Sequence, residues 1–448
     1  MQSRLLWCSF AVSRFAVRSS FCSSMVTTTR ILLLSTTTGY QLRSFGDAAA
    51  RLGIELVLAT DRCHHLDDPW QDGAIPVRFY DQEGSLAAVL DGVRERSLTG
   101  VIAVGDRPTV LAARVTEALR LPGNSPLSAE ATRNKKLMRQ RLSGAGLPVP
   151  WFLDVPLAAD LHTVGARVRY PCVIKPLGLS GSRGVIRADN PGQFESAVER
   201  VRALLARPDV RALRTGLEDV LLVERFIEGR EYAIEGLLTR GALKVLTIFD
   251  KPDPLDGPFF EETIYVTPAQ LPPEGRRAIL DALQRATAAL GLVHGPIHAE
   301  CRVGPMGVVM LEVASRPIGG LCSRVLRFQE EASLEPISLE ELLLRHARGD
   351  DVTRYEREES AAGVMMIPIP QRGIFKGTKG ETAARSVQYV EDVRITAKPG
   401  QLLEPLPEGD SYLGFIFARA AGADTVVAAL REAHQRLECE IAPELRVI

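Results

Sequence analysis

Residues 294–320 read HGPIHAECRVGPMGVVMLEVASRPIGG and contain two apolar-alternating runs around a glycine- and proline-rich turn. The first run is Pro296–Val303, the second is Val308–Arg316, and residues 304–307 read GPMG. Alternation with a period of two is typical of β-strands, and glycine with proline favours a tight turn. The pattern therefore predicts a β-hairpin closed by a five-residue loop, residues 304–308.

This loop length sets which residues of the two strands lie opposite each other. Because successive side chains point to opposite faces of a strand, one face is expected to be apolar and to pack on a core. The predicted pairs are Val303 with Val309, Cys301 with Leu311, and Glu300 with Glu312. The apolar face contains Ala299, Cys301, Val303, Val309, Leu311 and Val313, and the other face contains His298, Glu300, Arg302, Met310, Glu312 and Arg316.

The predicted pairing places the carboxylates of Glu300 and Glu312 directly across the hairpin from each other. Two such carboxylates repel and should destabilise the hairpin. A hard dication between them reverses this effect, because Mg²⁺ binds one or two protein carboxylates together with substrate phosphates. The alternative is that Arg302 and Arg316 neutralise a solvated row of charges. We favour the metal site.

A second feature is a strand that ends in a lysine and leads into a glycine-rich loop. Residues 172–176 read CVIKP, with Lys175 near the end, and residues 178–184 read GLSGSRG. Glycines let backbone N–H groups converge on an anion, and the lysine adds a point charge. The lysine precedes the glycines, so this is neither a GK[ST] phosphate loop nor a GxGxxG loop. The alternative interpretation is an ordinary turn.

A third feature is an acidic turn between two strands. Residues 222–232 read LVERFIEGREY, in which a strand ends near Glu224, Gly229 reverses the chain, and Glu231 opens the next strand. An acidic side chain at such a position can hold ribose hydroxyls, and a backbone carbonyl of the hinge can accept a hydrogen bond from an adenine amino group. The alternative is a charged hairpin turn.

The N-terminal part of the chain alternates short apolar strands with helices, which implies a parallel sheet covered on both faces. At 448 residues the chain is long enough for two to four domains. This first unit is expected to end near residue 127. Its predicted strands are Arg30–Ser35, Ile54–Ala59 and Gly100–Val104, and its predicted helices are Tyr40–Leu52 and Leu86–Arg96. A further helix is predicted at Ser128–Gly144, capped by Ser128.

The composition is that of a soluble globular protein, with 46% hydrophobic residues, 24% charged residues and a net charge of −1. This balance gives no electrostatic reason to expect a nucleic-acid or membrane-surface partner. No apolar run approaches the roughly 20 residues that cross a bilayer. The seven cysteines are odd in number and form no CxxC pair. We therefore expect neither a disulfide framework nor a zinc site, and we expect the protein to be in a reducing compartment.

The first 24 residues differ from the rest of the chain. They contain Arg4, Arg14 and Arg18 and no acidic residue, which is the composition of a mitochondrial transit peptide. A start codon assigned too early is the alternative, since Met25 directly precedes the first predicted strand. We favour this second interpretation and expect a cytoplasmic protein.

In this order, the three features resemble the ATP-grasp superfamily, and the resemblance covers nearly all of the chain from residue 25 onward. Residues 134–139 (NKKLMR) and 146–150 (GLPVP) are similar to the entry into the family's ATP domain. The resemblance implies an α/β fold with a three-part ATP-grasp architecture. Its parts are an N-terminal parallel α/β domain at 25–127, an ATP-grasp domain at 128–350 with a lid at about 150–222, and a small C-terminal α+β unit at 351–448.

The resemblance also implies roles for individual residues. ATP is the implied cofactor, with Mg²⁺ as the metal ion and Mn²⁺ as an alternative. The family often has an asparagine metal ligand where this chain has Ala314. Whether the site holds one metal ion or two is therefore left open. Lys135 and Lys175 correspond to phosphate-binding lysines, Ser180, Gly181 and Ser182 to the flexible phosphate loop, Glu224 and Phe226 to the adenine hinge, Glu231 to the ribose-binding glutamate, Glu300 and Glu312 to the metal carboxylates, and Arg316 to the arginine near the transferred phosphoryl group.

Four further stretches resemble the L-amino-acid ligase and carnosine synthase group. They are residues 295–300 (GPIHAE), 314–320 (ASRPIGG), 363–370 (GVMMIPIP) and 412–419 (YLGFIFAR). The resemblance implies an ATP- and Mg²⁺-dependent ligase that forms an amide from a small-molecule carboxylate and an amine through an acyl phosphate. An L-amino acid is the expected substrate, and a homodimer is left open.

Alternatives remain at this point. Carboxylase or carbamoyl-phosphate chemistry, a small-molecule kinase and a non-catalytic ATP sensor share the same ATP site. His298 either positions a substrate carboxylate or is a packed bystander. The loop at residues 250–262 (DKPDPLDGPFFEE) is expected to border the acceptor pocket, with Phe259 and Phe260 either forming an apolar side-chain pocket or anchoring the loop.

Overall fold

The computed structural model describes residues 29–36, 41–61, 73–330 and 335–444. The predicted leader at residues 1–24 and the cysteines Cys8, Cys22 and Cys63 lie outside these ranges. None of the helices in the described part of the chain combines the length and the apolar character that crossing a bilayer requires.

The N-terminal unit contains the predicted parallel sheet, in the strand order β3-β2-β1-β4. Strand β1 is central, and its residues Ile31–Leu34 are at most 2% exposed, as expected for a strand covered on both faces. Helix α2 begins four residues before its predicted start because the Asp81 carboxylate caps its first turn by accepting from the Gly84 amide. The elements are β1 (Arg30–Ser35), α1 (Leu42–Leu52), β2 (Glu55–Thr60), β3 (Ile75–Pro76), α2 (Gln82–Gly92), β4 (Gly100–Val104) and α3 (Thr109–Leu119).

Two short helices, α4 (Pro126–Arg133) and α5 (Lys135–Gly144), occupy the place of the single helix predicted at 128–144. Ser125, not Ser128, caps α4, and Asn134 interrupts the helix and caps α5 by accepting from two backbone amides. Lys135 is therefore the first residue of α5, where the helix dipole favours anions.

The segment predicted as a lid forms a four-stranded sheet, in the order β5-β8-β6-β7, with its helices packed on one side. Its buried core includes Phe194, Val198 and Leu221, each fully buried. The elements are β5 (Phe152–Pro156), α6 (Leu161–Gly165), β6 (Cys172–Pro176), β7 (Ile186–Ala188), α7 (Pro191–Leu205), α8 (Pro208–Arg211) and β8 (Val220–Arg225).

A central eight-stranded sheet carries the predicted hairpin at one edge, in the order β13-β12-β9-β10-β11-β17-β21-β19. Helix α9 packs its apolar face on the hairpin side of this sheet through Ile279, Leu283 and Leu290. The elements that precede residue 351 are β9 (Arg230–Thr239), β10 (Ala242–Asp250), β11 (Ile264–Thr267), α9 (Pro273–Leu290), β12 (Gly295–Gly304), β13 (Gly307–Ala314), a 3-10 helix (Cys322–Val325), β14 (Arg327–Gln329), β15 (Ile337–Ser338) and α10 (Leu339–Arg348).

The C-terminal elements continue the central sheet across residue 351, because β17 pairs with β11 and then with β21. Helix α12 covers these strands with Val426, Ala429 and Leu430. The remaining elements are β16 (Glu356–Arg357), β17 (Ala361–Ile367), β18 (Gly373–Lys379), α11 (Glu381–Arg385), β19 (Val390–Ile395), β20 (Leu402–Leu403), β21 (Gly414–Ala420), α12 (Ala423–Gln435) and β22 (Glu438–Ala442). The mixed α/β architecture in three parts confirms the predicted fold class.

Candidate active site

A cavity of about 320 Å³ lies between the lid, the hairpin β12–β13, the carboxyl end of β4 and the C-terminal segment 410–415. Every residue to which the sequence assigned a site role lines this one cavity. They are Lys135, Lys175, Ser180, Gly181, Ser182, Glu224, Phe226, Glu231, His298, Glu300, Glu312 and Arg316.

The hairpin has a different register from the predicted one. Gly304 pairs with Gly307, so the loop contains two residues, and Cys301 pairs with Met310. Leu311 is then the extra residue of a β-bulge, which restores the pairing of Glu300 with Glu312. The predicted pairs of Val303 with Val309 and of Cys301 with Leu311 are therefore wrong.

The bulge also exchanges the faces of two side chains. Met310, expected on the charged face, is 2% exposed and packs in the core with Ala299, Cys301 and Val313. Leu311, expected in the core, lines the cavity beside Glu312. The physical reason is that one extra residue reverses the alternation of side chains along a strand.

The buried ammonium group of Lys251, which the sequence did not point to, lies among three carboxylates of the cavity. Its Nζ atom lies 2.8 Å from Glu231, 2.5 Å from Glu262 and 2.7 Å from Glu300. Burial alone would lower the pKa of Lys251, but the three carboxylates raise it well above the usual value. A lysine therefore provides positive charge where three acidic side chains converge.

Glu300 is the shared partner of several groups. One of its oxygens, Oε1, accepts from Lys251 and from the Tyr265 hydroxyl at 3.1 Å, and lies 3.8 Å from Nε2 of His298. Burial opposes ionisation of Glu300, but Lys251 and His298 hold its pKa well below the usual value. Burial raises the pKa of neighbouring Glu262 to about 7.

His298 lies in the cavity wall and is held from behind by a buried carboxylate. Its Nδ1 atom lies 2.5 Å from Oε1 of Glu235, and the second oxygen of Glu235 accepts from the Ile318 amide at 3.0 Å. Burial would lower the pKa of His298, but Glu235 raises it to about 9. The pairing with Glu235 therefore favours the protonated form of His298.

Glu224, which the resemblance assigned to the adenine hinge, has a buried carboxylate. Its carboxylate is 1% exposed and pairs with Lys175 and with Arg139, whose Nε is at 2.8 Å. Burial would raise the pKa of Glu224, but these two cations lower it to about 2. The carboxylate is therefore committed to an internal ion pair, and the hinge contributes Phe226 and Ile227 to the cavity.

The expected ribose carboxylate, Glu231, is also paired on both oxygens. Arg302 donates Nε to Oε2 at 2.9 Å, and Lys251 contacts Oε1. Arg302 also donates hydrogen bonds from Nη1 and Nη2 to the backbone carbonyls of Ile227 and Leu255. This arginine therefore ties the hinge to the loop at 250–262.

Phe259 and Phe260 have separate positions. Phe260 lines the cavity beside Phe226, with 6.4 Å between ring centroids. Phe259 lies outside the cavity and packs under the Arg200 guanidinium of the lid, 4.8 Å from its ring centroid. The loop therefore anchors the lid at the aromatic end of the cavity, so Phe259 forms no pocket for the acceptor.

Two lysines and the glycine-rich loop form the end of the cavity nearest the lid. Lys135 donates Nζ to the Leu179 carbonyl at 2.5 Å. Burial and the nearby Lys175 ammonium lower the pKa of Lys135, against the pull of Glu312. Gly181 and Ser182 adopt the left-handed conformation, with φ of 63° and 57°.

Arg316 is fixed by a carboxylate that the sequence did not point to. Asp106 follows the carboxyl end of β4, lines the cavity and forms two contacts with the Arg316 guanidinium. Parallel sheets bind ligands beyond the carboxyl ends of their strands, so the position of Asp106 after GVIAV was an available signal. Arg139 lies one helical turn after Lys135 on the same helix. This spacing was a second available signal in the sequence.

The C-terminal segment 404–410 contacts the lid beside the cavity, and we call these contacts the lid contact. Arg200 pairs with Glu408, with Nη2–Oε2 at 2.8 Å, and Arg207 pairs with Glu404 at 2.5 Å. Arg183 donates Nε to the Glu408 carbonyl at 2.8 Å, and the Gly184 amide donates to the Pro407 carbonyl at 2.8 Å. The phosphate loop is thus tied to the C-terminal unit.

Three family models match separate parts of the chain. Residues 46–123 match the ATP-grasp N-terminal domain, residues 168–325 match the ATP-grasp domain, and residues 365–442 match L-amino acid ligase C-terminal domain 2. The matched ranges contain the hinge, the lysine strand and the hairpin described above.

The chain is also similar to solved and curated proteins. The crystal structure of L-amino acid ligase from Bacillus licheniformis superposes with a TM-score of 0.78 and 28% identity, covering 93% of this chain and 99% of that one. Carnosine synthase 1 of Homo sapiens is 27% identical over 54% of this chain and 30% of its own. Alanine–anticapsin ligase of Bacillus subtilis (strain 168) is 28% identical over 43% of this chain and 42% of its own. The chain thus spans less than half the length of these two curated relatives.

Proposed function

We propose that this chain is an ATP-grasp ligase of the kind that forms C–N bonds, in keeping with its similarity to the ATP-grasp domain and to L-amino acid ligase, and that it joins a small-molecule carboxylate to an amine. An L-amino acid is the proposed substrate, and an acyl phosphate is the proposed intermediate. The observation that carries this proposal is the pairing of Glu300 with Glu312 inside a cavity that also holds Lys135, Lys175 and Arg316.

We propose that ATP binds between the lid and the hairpin. The apolar side chains of Phe226, Phe260 and Leu255 favour the base at one end, where the hinge residues Phe226 and Ile227 line the cavity. Lys135, Lys175 and the glycine-rich loop at residues 180–182 favour the phosphates at the end of the cavity nearest the lid. The proposed domains are 25–127, 128–350 with its lid at about 150–222, and 351–448.

The donor set near the phosphate end fits Mg²⁺. Among the residues that the structure describes, none donates a hydrogen bond to Oε2 of Glu300 or to the Glu312 carboxylate, and Arg316 is 3.9 Å from Glu312. Free carboxylate oxygens suit a hard cation. Glu300 and Glu312 would hold the ion, which when bound supplies positive charge to the phosphates. Ala314 adds no ligand.

In the first step, an oxygen of the substrate carboxylate attacks the γ-phosphorus of ATP. The new O–P bond forms as the bond to the β-phosphate oxygen breaks, and ADP leaves. Lys175 and Arg316 offset negative charge on the transferring group, which is the main contribution a protein makes to phosphoryl transfer. Closure of the lid keeps water from the acyl phosphate.

In the second step, the neutral amine attacks the acyl carbon. The C–N bond forms as the C–O bond to phosphate breaks, and the departing phosphate takes up the amine proton. The products are an amide, ADP and inorganic phosphate. Arg316 can hold the phosphoryl group of the intermediate through both steps, because Asp106 fixes its position.

The test measures ADP, phosphate and new amide from ATP and Mg²⁺ with pools of amino acids, with Glu312→Ala as the control. We expect release that requires an amino-acid pool, a condensed product by mass spectrometry, and no turnover in the control. ADP with a phosphorylated product and no amide would support a kinase instead. ATP binding without turnover in any pool would support the sensor.

We also propose a cytoplasmic location. Cys172, Cys301 and Cys322 are buried free thiols, as expected in a reducing compartment that supplies ATP.

A further inference from the structure

The cavity continues past the metal carboxylates to a wall of uncharged side chains from two parts of the fold. The first part is the segment after Arg316, and the second is the C-terminal unit, through β17 and the segment entering β21. We call this surface the apolar wall, and it consists of Ile318, Gly320, Cys322, Met366, Tyr412 and Phe415.

The apolar wall is fixed by packing behind it. Phe415 is 1% exposed, Cys322 is 3% exposed and Met366 is 4% exposed. The Tyr412 ring stands edge-on to Phe415, with 6.2 Å between centroids, and Phe415 stacks on Phe417 at 6.3 Å. Such aromatic pairs hold their geometry, so the surface exists before any substrate arrives.

Gly320 brings the backbone directly against the Phe415 ring. Its φ is 61°, and a Cβ atom at this position would lie 3.3 Å from two atoms of the ring. No side chain therefore stands between this stretch of backbone and the aromatic surface. Gly320 and Phe415 both line the cavity.

The wall has no ionised group of its own. Burial raises the pKa of the Cys322 thiol well above neutral pH, and burial with nearby Glu262 does the same for the Tyr412 phenol. At its border, Glu262 is paired with Lys251, Asp410 with Arg183, and Arg316 with Asp106. A charged substrate side chain placed here would lose its hydration without gaining a partner.

We propose that the apolar wall binds the side chain of one substrate, and that this substrate is an amino acid with a large apolar side chain. The proposal rests on the proposed ligase function and specifies its substrate class. Of the two alternatives that the sequence left open for Phe259 and Phe260, it does not use the one in which they form this pocket, because Phe260 lies beside the hinge residue Phe226 and Phe259 packs on the lid.

The first experiment compares single amino acids in the full-length protein with ATP and Mg²⁺. Phenylalanine, leucine and methionine are compared with alanine, aspartate and lysine, each with an equimolar mixture of possible partners, and amide is quantified by mass spectrometry. We expect kcat/KM at least about tenfold higher for the large apolar group, since each methylene in an apolar pocket contributes about 10-fold or more.

The second experiment removes part of the wall. Tyr412→Ala is expected to raise KM for the preferred amino acid about tenfold and to leave KM for ATP unchanged. Tyr389→Ala is the matched control, because Tyr389 is 46% exposed. Met366→Gln keeps the volume of the side chain and is expected to have the same selective effect if Tyr412→Ala does not fold.

Three results would overturn the inference. Amide formation only with small or charged amino acids would sink it while leaving the ligase function intact. An equal rise in KM for all amino acids in both Tyr412→Ala and Met366→Gln would also sink it. No amide with any amino acid would overturn the proposed function and this inference together.

Discussion

Asp106 and Arg316 join the N-terminal unit to the hairpin through a bidentate ion pair at the cavity. Nε of Arg316 lies 2.8 Å from Oδ1, and Nη2 lies 3.2 Å from Oδ2. Nη1 donates to the Pro317 carbonyl at 3.1 Å. Burial would raise the pKa of Asp106, but Arg316 lowers it. Three N–H groups of the guanidinium therefore have acceptors, and these fix its orientation.

Asp106→Asn should lower kcat without weakening ATP binding, because the amide keeps the shape but holds the guanidinium less firmly. We expect a decrease in kcat of about 10- to 100-fold, the usual cost of a displaced catalytic group, with KM for ATP within about twofold. Asp91→Asn, at a side chain that is 70% exposed, is the matched control. An unchanged kcat, or equal changes in kcat and KM, would contradict the positioning role.

Arg316→Ala should lower kcat more than it weakens ATP binding. Loss of one charged donor to a developing negative charge costs about 100- to 1000-fold in kcat. The measurement is kcat from ADP release alongside the Kd of ATP from calorimetry, with Arg94→Ala, 77% exposed, as control. Equal losses in both quantities would place Arg316 in ATP binding rather than in transfer.

The lid contact should make ATP affinity sensitive to salt. Arg200→Ala removes a bidentate ion pair with Glu408. The Arg200 side chain is 45% exposed. Such pairs contribute about 1 kcal/mol or less, so we expect KM for ATP to rise about two- to fivefold. The wild type should show the same rise at high salt, and KM for ATP of the variant should respond less to salt, because the Arg207–Glu404 pair of the lid contact remains.

Arg436→Ala is the control for the lid contact, since Arg436 pairs with Glu432 on the surface of α12. A wild type whose KM for ATP is independent of salt would contradict a role of this contact in closing the lid.

The sequence was sufficient for features that depend on local pattern. The parallel sheet at β1, β2 and β4 followed from apolar runs between helices, and the pairing of Glu300 with Glu312 followed from turn chemistry. That pairing is present for a different reason from the one expected. A shorter loop and a bulge at Leu311 shift the register by one residue each, and the two shifts cancel at Glu312.

Features that depend on distant segments could not be predicted. Lys251 meets Glu300 across 49 positions of sequence, and Asp106 meets Arg316 across 210. A charged residue in a proline-rich loop or after a strand has no local signal that identifies its partner, because tertiary packing decides it. Glu224 shows the same limit, since its burial by Arg139 depends on how α5 packs under the lid.

The buried Glu224 carboxylate should make stability depend on pH in the acid range. Its folded pKa of about 2 lies below the ordinary value of 4.5. A carboxylate with a depressed pKa stabilises the fold above its unfolded pKa, and this contribution is lost as the pH falls from 4.5 towards 2. The shift corresponds to roughly 3 kcal/mol.

Glu224→Gln tests this directly, because it removes the ionisable group and leaves the Arg139 and Lys175 cations without their buried partner. We expect a lower Tm than the wild type at pH about 7, and a gap that narrows towards pH about 3, because the Glu224 carboxylate of the unfolded wild type takes up a proton there before that of the folded protein does. Glu95→Gln, at an exposed glutamate, should show no gap at either pH. A gap for Glu224→Gln that stays constant across this range would show that the pair stabilises by hydrogen bonding and shape, and that its charge contributes nothing.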